Sequence, residues 1–477
     1  MNNPTLWSYL GLVSPLYART NGLAAAPISG ISIDTRTLEP GDLFFAIKGD
    51  HSDGHEHVAA AFEKGASAAV VDEAHANELF QTGPLYIVHD TLSAMQSLGL
   101  TARARTNAAI AAVTGSVGKT STKDALALVL SAQGRTHASL ASYNNHWGVP
   151  LTLCRMPKDT RFGVFEIGMN HAGEITPLVE MVRPHVAIVT TIAPVHLEFF
   201  DSIDAIADAK AEIFSGVEVG GTAILNLDIK QYPRLRKAAE DAGVGRILTF
   251  GSRKGAEARF EDAVTIAEGT RVQARILGRR YTYTVGAPGR HMAMNSLAVL
   301  LAVESLGGNL DQAAADLARF TPPKGRGERS FLRMPTGDFT LVDESYNANP
   351  ASMRAALGLM RETQVGGKRI AVLGDMLELG AQGPDLHADL AEAIAAADVD
   401  LVFAAGPLMK HLYDALPPRT RGAWAPTSAG IEEALVAAIG PYDIVMVKGS
   451  NGSRMGPVVD QLKLLFASRD FDNRAEG

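Results

Sequence analysis

The sequence predicts an α/β protein of three domains: a small α/β N-terminal domain, a central parallel-sheet domain and a C-terminal α/β domain. Three observations predict it. Residues 110–121, Ile-Ala-Ala-Val-Thr-Gly-Ser-Val-Gly-Lys-Thr-Ser, pass from an apolar strand through a glycine-containing loop into the start of a helix. Short apolar runs then recur with gaps long enough for helices, the alternation of a parallel sheet with crossover helices. A chain of 477 residues is also too long for one core and suggests about three domains.

Composition narrows the class. With 46% hydrophobic and 20% charged residues this is an ordinary globular chain. A net charge of −8 argues against a general nucleic-acid or anionic-membrane surface. Cys154 is the only cysteine, so there is no disulfide framework and no Cys-rich zinc site, as suits a reducing compartment. Its setting, Leu151-Thr152-Leu153-Cys154, reads as buried packing. The start, Met1-Asn2-Asn3-Pro4, lacks the basic residues of a signal peptide. No apolar run approaches the roughly 18 residues of a membrane span; Leu297 to Val303, flanked by Asn295 and Glu304, reads as a buried helix. A cytoplasmic protein with no integral membrane segment is expected.

The first unit, 1–106, has short strands around 43–47 and 68–71 with a helical stretch at 57–64 between them. Asp34-Thr35-Arg36, Lys48-Gly49-Asp50 and Asp53-Gly54-His55 are basic and glycine-bearing loops suited to an anionic ligand, although each alone could be a surface turn. The candidates there are Asp34, Arg36, Lys48 and His55. Thr101 to Asn107 is polar and basic, a plausible junction.

In the second unit, 107–320, strands are expected at 109–113, 163–167, 187–192 and 222–226, and the alternation in 270–286 suggests a small antiparallel addition. The loop Gly115, Ser116, Val117, Gly118, Lys119, Thr120, Ser121 carries the strongest chemistry. Its glycines let several N–H groups face one anion, and the helix N-terminus adds its positive dipole end. Lys119 would reach the β/γ-phosphates of a nucleotide and the Thr120 hydroxyl would bind Mg²⁺. The usual pattern has a glycine where this chain has Val113, so the loop is a tighter version. Glu166 is a carboxylate within an apolar strand, where a buried charge needs a partner or a metal; a salt-bridged structural role is the alternative. His196 lies just past a strand end on the same sheet edge. Asn144 and Asn145 beside Gly148 could orient oxygens of a substrate, or form a turn. Lys210 is locally uninformative, and a solvated helix lysine is the default.

The third unit, 321–477, follows a hinge, Thr321-Pro322-Pro323-Lys324-Gly325-Arg326-Gly327. Strands are expected at 339–343, 369–373, 401–405 and 443–447. Three of them run directly into glycine, which permits close approach to a ligand at the carboxyl ends of parallel strands, as in a Rossmann-like sheet. Met353, Leu357 and Met360 follow helical spacing and read as core. Asp343-Glu344-Ser345-Tyr346-Asn347-Ala348-Asn349-Pro350 and Lys448-Gly449-Ser450-Asn451-Gly452-Ser453-Arg454 are dense in hydrogen-bonding groups directly after strands. They favour a ligand site over simple helix caps.

Together these segments closely resemble the Mur ligases of peptidoglycan synthesis over essentially the whole chain. The shared elements are the 114–120 loop, the Asn144-Asn145 pair, Glu166, His196, Lys210 and the Asn295 segment; the 343–350 and 374–380 segments resemble the D-alanyl-D-alanine-adding type. The roughly 106-residue first unit argues against a folylpolyglutamate synthase, and the third unit against a P-loop switch protein. The resemblance implies ATP, with a peptide carboxylate activated as an acyl phosphate and then attacked by the amine of D-Ala-D-Ala. It implies UDP-N-acetylmuramoyl-tripeptide as acceptor, no nucleic acid and a monomer. It implies two Mg²⁺ ions held by Thr120, Glu166, His196 and a carbamylated Lys210. Asn295, Arg326 and Asp343 would serve the nucleotide. Asp34, Arg36, Lys48 and His55 would serve the UDP-sugar. Asn144, Asn145, Tyr346, Asn347, Asn349, Lys448, Ser450 and Asn451 would contact substrate.

Overall fold

The computed structural model describes residues 5–466 apart from 23–26, 50–51, 141, 196 and 267. The described strands form three sheets. The first has five strands in the order Arg19–Thr20, Leu85–Val88, Ala68–Asp72, Asp42–Phe45, Gly30–Ser32, parallel except for the pair with Arg19–Thr20. The second has nine. Its parallel part runs Arg246–Gly251, Thr222–Asn226, Val186–Val189, Ala109–Thr114, Phe162–Glu166, Thr136–Ala138. Beyond Arg246–Gly251 come Ala258–Ile266, which pairs parallel with it, and then the antiparallel strands Gly269–Ile276 and Arg279–Val285. The third has six, Glu328–Met334, Gly337–Glu344, Ile444–Lys448, Arg369–Gly374, Leu401–Ala405, Arg421–Ala425, parallel after its first pair.

Continuous apolar strands are what a sheet covered on both faces requires. In Ala109–Thr114 the side chains alternate: Ala111 and Val113 join one core cluster, Ile110 and Ala112 the other. The helix Lys119–Ser131 buries Ala125, Leu126, Val129 and Leu130 in the first of these. That spacing keeps them on one helical face. Leu297 to Val303 is the fully buried middle of the helix Arg290–Ser305. Met353, Leu357 and Met360 are buried in the third unit. Cys154 is buried too, its Sγ donating to the Met95 carbonyl, and burial pushes its thiol pKa far above the ordinary value.

Several expectations shift. The run expected as strand 187–192 ends at Val189, because Thr190 Oγ1 turns to the Val117 carbonyl at 2.6 Å and the Thr191 carbonyl accepts from Ser116 N. Thr101 to Asn107, expected as a polar junction, begins inside the helix Thr91–Ala104. Its basic residues bind backbone: Arg103 donates to the carbonyls of Val182 and Arg183, and Arg105 to those of Leu6 and Met156. Arg105 also lies 3.3 Å over the Trp7 ring. Leu151 and Cys154, on the helix Gly148–Cys154, pack into the first unit's core. Among the described residues no helix is long and apolar enough to cross a membrane.

Candidate active site

The glycine loop stands between the strand Ala109–Thr114 and the helix Lys119–Ser131. Gly118 has φ +87°, and a Cβ there would fall 2.6 Å from Asn295 Nδ2. Gly115, at φ +145°, would set a Cβ 2.0 Å from Thr190 Oγ1. Both positions need glycine for conformation and for space. Ser116 ties the loop to the neighbouring strand end, its Oγ exchanging bonds with the Ala193 backbone at 3.0 and 3.1 Å. No side chain caps the helix at Gly118, so its first N–H groups remain available to an anion. Lys119 Nζ folds over the loop onto the Gly115 carbonyl at 2.8 Å. Burial lowers its pKa, with Glu166 opposing and Arg326 adding to the shift.

Across the loop, Glu166 ends the strand Phe162–Glu166 and is 1% exposed. Asn144 Nδ2 donates to its Oε1 at 2.7 Å. Its Oε2 is buried without a hydrogen-bond partner, and so is Thr120 Oγ1. Two bare buried oxygens, one a carboxylate's, beside the glycine loop are the kind of donor a hard divalent cation takes. The Asn144 carbonyl also accepts from Gly168 N. The expectation that Lys210 is solvated is overturned. It is 1% exposed on the helix Ile203–Ala211, and burial, with the Lys119 charge adding, holds its amine well below the ordinary pKa. The helix packs into the core, so the position could not stay in water. His196 lies outside the described residues.

The third unit supplies the opposite wall of one cavity of about 740 Å³. On the central side it is lined by Ser116, Val117, Gly118, Lys119, Thr120, Ser121, Asn144, Glu166 and Asn295. Facing them are Arg326, Tyr346, Asn347, Asn349, Lys448, Ser450 and Asn451. Arg326 lies 4.2 Å over the Tyr346 ring and reaches Ser142 Oγ at 3.3 Å. Lys448 is held by Glu344 Oε2 at 3.2 Å and the Asn347 carbonyl at 3.0 Å. Asn349 caps the helix Pro350–Glu362 in a reciprocal bond with Ser352. Ser450 Oγ accepts from Leu377 N.

Other expected residues are placed differently. Asp343 is 1% exposed and does not line the cavity. Its carboxylate accepts from Gly325 N at 3.0 Å, Ser345 N at 3.0 Å and Ser345 Oγ at 2.6 Å, organising the hinge and the loop after the strand. Asn145 Oδ1 accepts from Trp147 N and Gly148 N at the start of the next helix. In the first unit His55 is buried between Asp53 Oδ1 (2.6 Å) and Asp72 N (3.1 Å), stacked on His75. Arg36 pairs with Asp34 at 2.7 Å, which holds the Asp34 carboxyl below its ordinary pKa. Lys48 is exposed. None of these four first-unit residues lines the cavity. Ser142, Asn170 and Glu344 do line it and were not singled out as candidates. His291 does as well, one helical turn before Asn295; that i, i+4 spacing places both on one helix face and could have marked it.

Comparisons with known proteins agree along the chain. A family model described as Mur ligase family, catalytic domain, matches residues 27–112, the Mur ligase middle domain matches 113–303, and the Mur ligase, glutamate ligase domain matches 328–451. UDP-N-acetylmuramoyl-tripeptide–D-alanyl-D-alanine ligase of Escherichia coli strain K12 is 34% identical, over 91% of this chain and 94% of that protein. The protein of the same name from Synechocystis is 34% identical over 94% and 95%. The crystal structure of MurF from Acinetobacter baumannii superposes with a TM-score of 0.82 at 27% identity, covering 96% of this chain and 98% of that one.

Proposed function

The chain belongs to the Mur ligase family, and from that premise we propose that it is the ATP-dependent ligase that joins D-alanyl-D-alanine to UDP-N-acetylmuramoyl-tripeptide. The product is the UDP-MurNAc-pentapeptide of peptidoglycan synthesis, with ADP and phosphate released. One observation carries the reading: Thr120 Oγ1 and Glu166 Oε2 are bare and buried beside Lys119, at an uncapped helix start, in a cavity walled by the third unit.

The chemistry joins two anions. The tripeptide carboxylate attacks the γ-phosphate of ATP to form an acyl phosphate; the dipeptide amine then attacks the acyl carbon and phosphate leaves. Carboxylate and phosphate repel, so charge neutralisation and in-line placement are the main tasks. Lys119 and the open N–H groups of the loop hold the β/γ-phosphates. Thr120 and Glu166 hold Mg²⁺, with Asn144 fixing the carboxylate, and His196 and Lys210 serve a second ion. A bound divalent ion supplies charge neutralisation at the transferring phosphoryl group. Lys210 is buried with its pKa lowered, which favours the neutral amine that takes up CO₂ as a carbamate and so converts a cation into a metal-binding anion.

Asn295 and Arg326 serve the nucleotide, with Asp343 acting through the hinge. Tyr346, Asn347, Lys448, Ser450 and Asn451 face the incoming dipeptide. Residues 1–106 hold the UDP-sugar through Asp34, Arg36 and Lys48, residues 107–320 the phosphates, and 321–477 the nucleotide and dipeptide. A buried lone cysteine suits the reducing cytoplasm, and the family resemblance implies a monomer. The test is ADP release measured with each substrate omitted in turn. Release should need both the UDP-muramyl tripeptide and D-Ala-D-Ala; ATP turnover with neither would overturn the reading.

A further inference from the structure

A second opening adjoins the nucleotide cavity, and no role assigned above draws on it. It encloses about 770 Å³ and shares Asn144, Gly168, Met169 and Asn170 with that cavity. Helices Thr91–Ala104 and Ile175–Val182 form its walls. Its surface is apolar where Met169, Leu178 and Met181 underlie it, and Leu100 stands 48% exposed on one side. Two carboxylates line it, Glu174 and Glu180, with no lysine or arginine. Glu174 is engaged by Asn170 N at 2.8 Å and His171 Nδ1 at 2.9 Å. The Glu180 carboxylate is exposed and makes no hydrogen bond or ion pair with another described residue.

The junction at Asn144 determines what enters. A C-terminal residue's carboxylate and its side chain leave the same α-carbon. With the carboxylate beside Lys119 and the bare, buried Glu166 Oε2, the side chain can pass Asn144 into the second opening. The geometry points to this groove as the subsite for the side chain of the acceptor's C-terminal residue, one with an apolar stem ending in an ammonium. The stem lies on Met169, Leu178 and Met181 while the charged head reaches Glu180 at the solvent edge, the way long cationic side chains bury their methylenes. A carboxylate beside that ammonium finds no cation in the lining, so the amine is the group recognised. The inference rests on the ligase reading.

Steady-state kinetics with three UDP-N-acetylmuramoyl-tripeptides test it, ending in lysine, norleucine (the same stem without the amine) and diaminopimelate (the amine beside a carboxylate). The norleucine peptide should show a KM about three- to tenfold above the lysine peptide, with kcat little changed, as for loss of one charge-assisted contact. Diaminopimelate should match lysine within about threefold. Glu180→Gln should abolish most of the lysine-over-norleucine preference and leave the KM values for ATP and D-Ala-D-Ala unchanged. Equal use of norleucine and lysine, a preference undiminished in Glu180→Gln, or a strong preference for diaminopimelate over lysine would overturn the groove assignment while ligation persists. ADP release with none of the three peptides would overturn the ligase reading itself.

Discussion

Asn144 Nδ2 donates to Glu166 Oε1 across 2.7 Å, and this bond leaves the carboxylate with one occupied oxygen and one bare one. A Cβ on Gly168 would stand 2.9 Å from Asn144 Cγ, so the amide is packed as well as bonded. Asn144 thus positions the bare oxygen that the proposed function gives to Mg²⁺.

Asn144→Ala should therefore weaken the response to Mg²⁺. Loss of such a supporting partner lowers metal affinity or activity about 10- to 100-fold. The measurement is activity against Mg²⁺ concentration at saturating ATP. An unchanged midpoint with only reduced thermal stability would mean that the bond is structural.

Gly118→Ala asks an L-residue to adopt φ +87° and sets its Cβ 2.6 Å from Asn295 Nδ2. The backbone penalty is about 1–2 kcal/mol, and nucleotide affinity should fall with it. Adding Asn295→Ala removes the clash but not the dihedral, so the double variant should regain some stability and no nucleotide binding. Calorimetric melting and nucleotide titration separate the two effects.

Lys210 gives a pH prediction with a definite sign. Its folded-state pKa is lowered by burial and by Lys119, so the folded protein binds fewer protons than the unfolded chain and stability rises with pH. The rise begins at the lowered folded pKa and ends near the unfolded lysine value of about 10.4. In CO₂-depleted buffer, Lys210→Met should stabilise the fold at neutral pH by about 1–3 kcal/mol, and the gain should shrink toward that upper limit. The same variant should be inactive. Denaturant melts across pH decide it; a gain that does not change with pH would contradict the assignment.

Asp343→Asn distinguishes two roles. If its carboxylate holds Gly325 and Ser345, the variant should lose about 1–3 kcal/mol of stability and change the KM for ATP only modestly. A raised KM with an unchanged melt would instead assign it to the nucleotide.

What the sequence made legible was what neighbours along the chain determine. The 114–121 loop has its strand, glycines and helix within a dozen residues, so its chemistry could be read locally. Glu166 stood out because a carboxylate interrupts an apolar strand. Lys210 did not, because its burial comes from the core its helix joins, built from residues far away in sequence. Nor did the sequence distinguish Asp343 or His55 as bonded scaffolding from ligand contacts, since each also engages a backbone N–H distant in sequence, Gly325 N and Asp72 N, that only the fold brings to it. The strands Gly30–Ser32 and Thr136–Ala138 are too short for periodicity to reveal, and their pairing comes from longer neighbours.

The packing of Leu151 and Cys154 into the first unit's core, together with the Arg103 and Arg105 clamps, makes the front two-thirds of the chain a ruler. If the first unit holds the sugar nucleotide, as proposed, that ligand could not slide relative to Lys119 unless this shared core opened. On that reading a fixed distance gauges acceptor length, while the groove beside Asn144 reads only the last residue's side chain. One residue more or fewer displaces the reacting carboxylate by about 3.3–3.6 Å, enough to take it out of line with the phosphoryl group.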